Sequence, residues 1–314
     1  MAERRVIALS GLCLALALLF LTWNLRGPLD FILMLRADKL AALALVGAAT
    51  GVATVLFQTV AGNRLLTPGI CGFDALFIFL QTMLVLLFGG LGYAQLPGFT
   101  HFLFETAILM ATGTALFGLI LRRGAADITR MILTGVILGV FLRGMAEMTQ
   151  RMLDPSEFAV VQQLTFASFG SVDRSQLAFA ALVLILAVGG ACWMAPALDV
   201  AALGRTNARG LGLPHDRVIL TTLAIVSALV AVSTALVGPL TFLGLLASSL
   251  ARALVDTHRH ALLLPAAAII GATILIAGQF VFERILGMQS NLAILVELFG
   301  GLLFLVLVLR RRPV

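Results

Sequence analysis

The sequence predicts an all-α integral membrane protein of about ten transmembrane helices. Of its 314 residues, 61% are hydrophobic and 11% are charged, and the mean hydropathy is +1.10. This composition leaves too little polar surface to cover a soluble domain of that size. Apolar stretches near the length that crosses roughly 30 Å of hydrocarbon recur along the chain. Runs such as "LCLALALLFL" lack the alternation expected of a β-barrel strand.

Ten apolar stretches define the predicted helices. The first follows Arg4 and Arg5, as in a signal peptide, but no small-residue cleavage site follows it, and Trp23 stands where an interfacial anchor is expected. We therefore expect it to persist as a helix. No polar interruption is long enough for a soluble domain, so residues 1–314 are predicted to form one transmembrane domain. The stretches cover residues 6–24, 40–60, 72–91, 102–121, 128–146, 177–195, 217–237, 240–254, 262–282 and 290–309, the eighth being the shortest.

The distribution of basic residues predicts the orientation of the bundle. Lysine and arginine are enriched on the cytoplasmic side of membrane proteins. If both termini are cytoplasmic, 14 of the 21 basic residues lie inside. We therefore predict cytoplasmic termini and a cytoplasmic segment at about residues 196–216, between the sixth and seventh helices. The same asymmetry explains the net charge of +6 without a nucleic-acid partner.

Small residues one helical turn apart predict close helix packing. "GAATG" places Gly47 four residues before Gly51, and "GVILG" repeats this spacing with Gly135 and Gly139. Helix backbones can approach closely at such positions, which matters in lipid because the hydrophobic effect does not drive helices together there. The pattern favours a compact bundle and does not indicate a function.

Carboxylates inside apolar stretches raise the alternative of a proton-coupled carrier, because such groups are costly in hydrocarbon and mark ion paths. The candidates are Asp74, Glu105, Glu283 and Glu297. Most lie near a predicted helix end, and Glu283 adjoins Arg284, so interfacial or paired carboxylates are favoured over a relay. Glu297 lies deepest within its stretch.

The sequence predicts no catalytic, cofactor or metal site in this chain. "THRH" places His258 near His260 without a third ligand, and a solvated basic loop is the favoured interpretation. The patterns of common hydrolases are absent. A P-loop is also excluded, because Lys39, the chain's lysine, is followed by Leu40 instead of Ser or Thr. Any ATP and Mg²⁺ used in transport must therefore be bound by a partner subunit.

The segment "DVAALGRTNARGLGLPHDR", residues 199–217, is unusually polar for this chain. Its glycines and small residues, with Leu203 and Leu211 as apolar anchors, suit short helices broken by glycine that insert into a groove of another protein. A plain solvated connection is the alternative on spacing alone.

This segment resembles the coupling loop of the iron-chelate and cobalamin importer permeases, the type II ATP-binding cassette importers, with the usual pattern A-L-G-x-x-x-A-x-x-L-G-V. Three further segments are similar to that family: "LMLRADKLAALALVGAATGVATVLFQTVAGNRLLTPGICGFDALF", "FASFGSVDRSQL" and "VGPLTFLGLLASSLARAL". In the first, Gln58, Asn63, Pro68 and Gly72 fall in register. The likeness runs in order through about residues 30–310.

The resemblance implies a type II importer permease fold, in the bacterial inner membrane, with ten helices per subunit. It also implies a second permease subunit, two ATP-binding subunits and a periplasmic or lipid-anchored substrate-binding protein as partners. Arg205 stands where the family commonly has an acidic residue, and "LLASSLAR" lacks the usual Pro-His pair. These departures resemble a branch of ferric-siderophore permeases that act as half of a heterodimer. A homodimer, a cobalamin or haem substrate, and a scaffold subunit that carries no substrate remain alternatives.

The resemblance also implies roles for particular residues. Arg36 and Lys39 match basic positions on the outer face that meet acidic residues of the binding protein, and Arg284 matches a third across a shorter loop. Exposed cations of this kind orient docking; snorkelling beside Asp38 is the alternative for the first two. The positions matched to the coupling helices are Gly204, Arg205, Ala208, Arg209, Leu211 and Gly212.

Candidates for the translocation path come from the segment before Pro155. Met145, Met148 and Met152 are spaced i, i+3 and i+7 on a predicted helix. Flexible thioethers can line a path for a bulky chelate without binding it tightly, whereas lipid or core packing is the alternative. Gln58, in register with the family's glutamine, is the fourth candidate.

Overall fold

The computed structural model describes residues 2–24, 28–95, 97–122, 128–170, 172–287 and 292–310, and no β-strand occurs in these ranges. Turns of wider, π-type helix at Gly69–Phe73 and Val281–Ile285 precede α3 and follow α12. The described α-helices are α1 (Ala2–Thr22), α2 (Leu29–Ala61), α3 (Asp74–Ala94), α4 (Gly98–Arg122), α5 (Ile128–Gln150), α6 (Pro155–Leu164), α7 (Arg174–Trp193), α8 (Ala195–Ala201), α9 (Arg205–Gly210), α10 (His215–Val237), α11 (Leu243–Val255), α12 (His260–Phe280) and α13 (Leu292–Arg310). The predicted all-α fold is confirmed.

The ten predicted stretches correspond to the ten longest helices. Six of the described segments are long and apolar enough to cross a membrane, and α11 and Leu292–Val306 are shorter apolar helices. The largest difference is at α2, which begins at Leu29 although its apolar stretch begins at residue 40. Charged side chains in its first turns interrupt the apolar pattern, but they find partners on neighbouring elements and so permit the longer helix.

The centre of the bundle is formed by α2, α10 and α12. The most extensive helix contact is between α2 and α12, and α10 packs against both α2 and α4. Where α2 crosses α12, a Cβ atom on Gly47 would lie 2.5 Å from the carbonyl oxygen of Gly271. Gly51 approaches the backbone of Ala267 in the same way. The close packing predicted for this glycine pair is therefore confirmed.

A break separates α2 from α3. Gly62 ends α2 in the left-handed conformation with φ 60°, and Gly72 has φ 108° within the turn Gly69–Phe73. This turn rests on α5, where a Cβ on Gly135 would lie 2.8 Å from the carbonyl oxygen of Cys71 and one on Gly139 3.0 Å from the Cα of Gly72. The second glycine pair thus also packs closely, against a turn instead of a regular helix.

A second break separates α10 from α11. Gly238 ends α10 with φ 100°, and a Cβ there would lie 2.9 Å from the Cα of Ala167. The amide of Ser168 donates to the carbonyl of Val237 at 2.7 Å. The segment after α6 is therefore fixed against this break, which brings α6 next to the polar groups described below.

Candidate transport path and partner-binding surfaces

The segment predicted to couple to an ATPase, residues 196–216, forms a short two-helix elbow. Gly204 begins α9 with φ 89° and Gly212 follows it with φ 82°, conformations that favour glycine. Between them α9 has only six residues. Leu203 is 55% exposed and Leu211 67% exposed. The predicted short helices broken by glycine are confirmed, and two apolar side chains lie on the free face of the elbow.

Asp216 holds α9 against α10. Its carboxylate accepts hydrogen bonds from Arg209 at 2.6 Å and from Arg205 at 3.3 Å. Both arginines, predicted as coupling residues, thus serve within this chain by clamping the elbow to the first turn of α10.

His260 holds the other half of the elbow. Its Nδ1 lies 2.6 Å from Asp199 of α8, and its backbone N–H donates to the same carboxylate at 2.8 Å. On the opposite side of the ring, Nε2 lies 2.7 Å from the hydroxyl of Thr59 near the end of α2. The interpretation of "THRH" as a solvated loop is therefore wrong for His260, which is buried, whereas His258 is exposed.

Ala208 is fully buried within the chain. Its methyl group packs inside the elbow instead of facing outward, and its part in coupling stays a prediction. A larger side chain there would disrupt the elbow itself. Of the matched residues, Gly204, Arg209, Leu211 and Gly212 are exposed, and their contact with a partner stays a prediction.

The three basic residues predicted to dock a binding protein lie at one end of α2 and after α12. Lys39 forms an ion pair with Glu283, which also accepts from Gln279 at 2.7 Å. Glu283 and Arg284 both act electrostatically on Arg36. We call Arg36, Lys39, Glu283 and Arg284 the basic cluster. Glu283 is thus a paired carboxylate, as expected, and its partner is Lys39 of α2 instead of the adjacent Arg284.

Arg36 is only 7% exposed. Its guanidinium donates to the carbonyl oxygens of Leu21 at 2.8 Å and Trp23 at 2.7 Å. The expectation that Arg36 is an exposed cation is wrong, because it satisfies carbonyls at the end of α1 that have no partner in their own helix. Its docking role stays a prediction, as do those of Lys39 and Arg284.

Replacing Arg36 by methionine tests this structural role. We expect the free energy of unfolding to fall by roughly 1.5–3 kcal/mol, because hydrogen bonds to charged groups are worth about that much. Lys39→Met, which breaks a partly exposed pair, should cost at most about 1 kcal/mol. Unfolding of both variants in detergent measures the difference. Unchanged stability of Arg36→Met would contradict the structural role.

A polar cavity of about 360 Å³ lies where α3, α5, α6 and α13 meet the second break. We call it the vestibule. Its walls carry three carboxylates, one arginine, two glutamines and two threonines among apolar side chains. These polar residues are Asp74, Arg143, Glu147, Gln150, Gln162, Thr165, Thr241 and Glu297.

The three methionines predicted to line the translocation path lie outside the vestibule. Met145, Met148 and Met152 are 36%, 66% and 71% exposed, and none lines the vestibule, which takes Glu147 and Gln150 from another face of the same region. Gln58 does not line the vestibule either, and its place on the path stays a prediction. It is buried, its amide donates to Arg64 O and Ser248 Oγ, and its oxygen accepts from Arg252. A side chain with all these bonds holds α2 to α11.

Asp74 and Glu105 are the most buried of the four candidate carboxylates, at 5% and 2% exposed. Glu297, which lies deepest within its apolar stretch, is only partly buried. Asp74 accepts from the hydroxyl of Thr241, and Glu105 from the amide of Gln81, each at 2.7 Å. Neutral donors therefore satisfy the two most buried acids.

Sequence reasoning missed Asp199, Asp216 and Thr59 as structural anchors of the elbow. Thr59 and Asp199 both contact His260, which is far from them in the sequence. Residue spacing therefore could not predict these contacts. For Asp216, the two preceding arginines in a glycine-rich loop were a usable signal.

Six described segments long and apolar enough to cross a membrane, packed beside a polar vestibule, define a multi-pass membrane protein. Sequence comparison then gives the family. The profile of the FecCD transport family matches residues 6–310, and the chain belongs to this family.

Relatives and a solved structure agree with this assignment. The chain is 34% identical over 309 residues to the petrobactin import system permease protein YclO of Bacillus subtilis, covering 98% of each chain. It is 30% identical over 301 residues to the vitamin B12 import system permease protein BtuC of Citrobacter koseri, covering 92% of this chain and 86% of the relative. A metal-chelate type ABC transporter in an inward-facing conformation has the same fold, with TM-score 0.83, 23% identity and coverage of 99% and 100%.

Proposed function

We propose that this chain is a permease subunit of an ATP-driven importer that moves a ferric siderophore across the bacterial inner membrane. The observation that carries the proposal is its similarity to a petrobactin permease along nearly the whole length of both chains. The exposed apolar face of the elbow adds to it, because a surface with two exposed leucines beside glycine turns suits a groove on a partner.

In this proposal, partner subunits that bind ATP and Mg²⁺ supply the free energy for transport. The elbow lies at the cytoplasmic end of the bundle, as do both termini, and it contacts these subunits and moves with them. The basic cluster, at the outer end, faces a substrate-binding protein, where its cations set orientation more than affinity. A second, homologous permease chain covers the exposed face of α5, and the chelate passes between the two. Membrane lipid surrounds the assembly.

The experiment is purification of the tagged chain from its native membrane, followed by identification of the accompanying proteins. We expect an ATP-binding subunit in the preparation, and vanadate-sensitive ATP hydrolysis that rises when binding protein loaded with ferric siderophore is added. Absence of a hydrolysing subunit, with uptake that survives ATP depletion and collapses with the proton gradient, would point instead to a secondary carrier.

A cobalamin importer is the second candidate, favoured by the similarity to a vitamin B12 permease. That similarity is weaker in identity and in coverage than the one to the petrobactin permease. Competition between labelled ferric siderophore and unlabelled cobalamin in uptake assays separates the two candidates. Uptake of cobalamin with no uptake of iron chelate would assign the second.

Replacing Met148 by glutamate tests the face of α5 that the proposal gives to the path. Met148 is 66% exposed in the single chain. We expect uptake to fall several-fold with assembly intact, because a charged side chain on an apolar path is costly to desolvate as the substrate passes. Met148→Leu, which keeps the apolar volume, serves as the control and should retain uptake. Loss of expression or of the assembled complex in the glutamate variant would favour packing against lipid or a subunit.

A further inference from the structure

A second, smaller cavity lies inside the chain between the two helix breaks. Its volume is about 30 Å³, and it is lined by residues of α2, the turn before α3, the end of α10 and the link to α11. A water molecule needs about 10–15 Å³ of such space. The cavity therefore has room for one small ion, alone or with a water molecule. We call it the inner cavity.

Oxygen atoms dominate the polar lining of the inner cavity. Asp74 supplies a carboxylate, and the hydroxyl groups belong to Thr50, Thr54, Thr67, Ser233, Thr234 and Thr241. No lysine, arginine or amide side chain lines it. Oxygen ligands of this kind suit hard cations.

Several of these hydroxyl hydrogens are already used. Thr50 donates to the carbonyl of Val46 at 2.8 Å, and Thr241 donates to Asp74 at 2.7 Å. Each of these oxygens keeps a lone pair free for a further ligand. A ligand that only accepts electron pairs, as a metal cation does, matches such a lining.

Ser233 supplies an independent observation. The residue is 5% exposed and lines the inner cavity, and its Oγ is buried with no hydrogen-bond partner. A buried hydroxyl without a partner is costly. A ligand in the inner cavity would satisfy it.

The carboxylate of Asp74 also favours a cation in the inner cavity. The residue is 5% exposed, and no ion pair to it occurs among the described residues. Arg143 also lines the vestibule and acts on Asp74 electrostatically, without forming such a pair. An ionised carboxylate is costly in these surroundings unless it is paired or binds a cation, and a monovalent cation in the inner cavity would pair with it.

We propose that the inner cavity binds one sodium ion, held by the Asp74 carboxylate and the hydroxyl groups of Ser233 and Thr241. Broken helices are where transporters build Na⁺ sites, because unwound backbone frees oxygen atoms there. A single carboxylate in so small a space favours a monovalent ion over a divalent one, which takes more oxygen ligands or waters. Asp74 and Thr241 also line the vestibule, so the ion would fix the wall between the two cavities.

The test uses the full-length chain purified in detergent, with ²²Na⁺ as the probe. We expect saturable binding, and a thermal midpoint higher by roughly 2–4 °C or more in sodium chloride than in choline chloride at equal ionic strength. Asp74→Asn should abolish both effects. Ser233→Ala should weaken binding about fivefold or more. If Asp74→Asn does not fold, Thr241→Val provides the comparison.

Ser227→Ala is the matched control, because Ser227 is another buried hydroxyl on α10 without a partner but does not line the inner cavity. It should keep the full response to sodium. Absence of saturable ²²Na⁺ binding, or a midpoint that is the same in sodium and choline, would overturn the proposal and leave the cavity to water. An unchanged sodium response in Asp74→Asn would overturn it as well. None of these outcomes depends on which chelate is imported.

Discussion

Gly47→Leu should prevent accumulation of the folded chain. The space that a side chain would need at Gly47 is occupied by the backbone of Gly271, with the carbonyl oxygen 2.5 Å from the position of a Cβ atom. Overpacking a core usually costs about 1–3 kcal/mol when side chains can shift. Here backbone would have to shift, so we expect the upper end of that range or more. The yield of monodisperse protein in detergent and its thermal midpoint measure the effect.

Gly189→Leu is the control for this change. Gly189 lies within α7, and a Cβ there meets no atom within 4 Å. The same substitution should leave yield and midpoint nearly unchanged, because it removes a glycine from a helix without creating a clash. Similar losses at the two positions would show that the effect comes from the added leucine and not from the α2–α12 crossing.

The double substitution Leu203→Glu and Leu211→Glu should uncouple transport. Both leucines lie on the exposed face of the elbow, the surface that we propose contacts an ATPase subunit. Charges placed in a desolvated contact remove much of its binding energy. We expect uptake to fall roughly tenfold or more, with loss of the co-purifying ATPase subunit. The thermal midpoint of the permease alone should change little, because exposed side chains contribute little to its core.

His258→Glu serves as the control for the elbow, because it adds a negative charge on an exposed turn at the same end of the bundle. It should retain uptake and the ATPase subunit. Normal co-purification of the ATPase by the double leucine variant would place the coupling surface elsewhere on the chain.

Features that depend on local composition could be predicted from the sequence. The apolar stretches gave the ten long helices, since crossing a membrane imposes length and hydropathy directly. The glycine pairs at Gly47 and Gly135 indicated close packing, and the glycines around α9 indicated short helices. In each case the property resides in the segment itself, so no knowledge of a distant partner was needed.

Features that depend on distant partners could not be predicted in this way. Arg36 is buried because the end of α1 leaves carbonyls near it, and Gln58 is buried because α11 presents Ser248 and Arg252. The vestibule and the inner cavity arise where two helix breaks meet. Hydropathy identifies a carboxylate such as Asp74 as unusual, but only the assembled bundle shows which oxygen atoms surround it.

The short length of α9 limits how far the elbow can bend when a partner subunit displaces it. Six residues at 1.5 Å rise make a rod about 9 Å long. One side of the rod adjoins α8, which is fastened through Asp199, and the rod itself is fastened to α10 through Asp216. Both attachments join the elbow directly to the first residues of α10 and α12. We therefore expect a displacement of α9 to move these two helix ends with little bending of α9 itself.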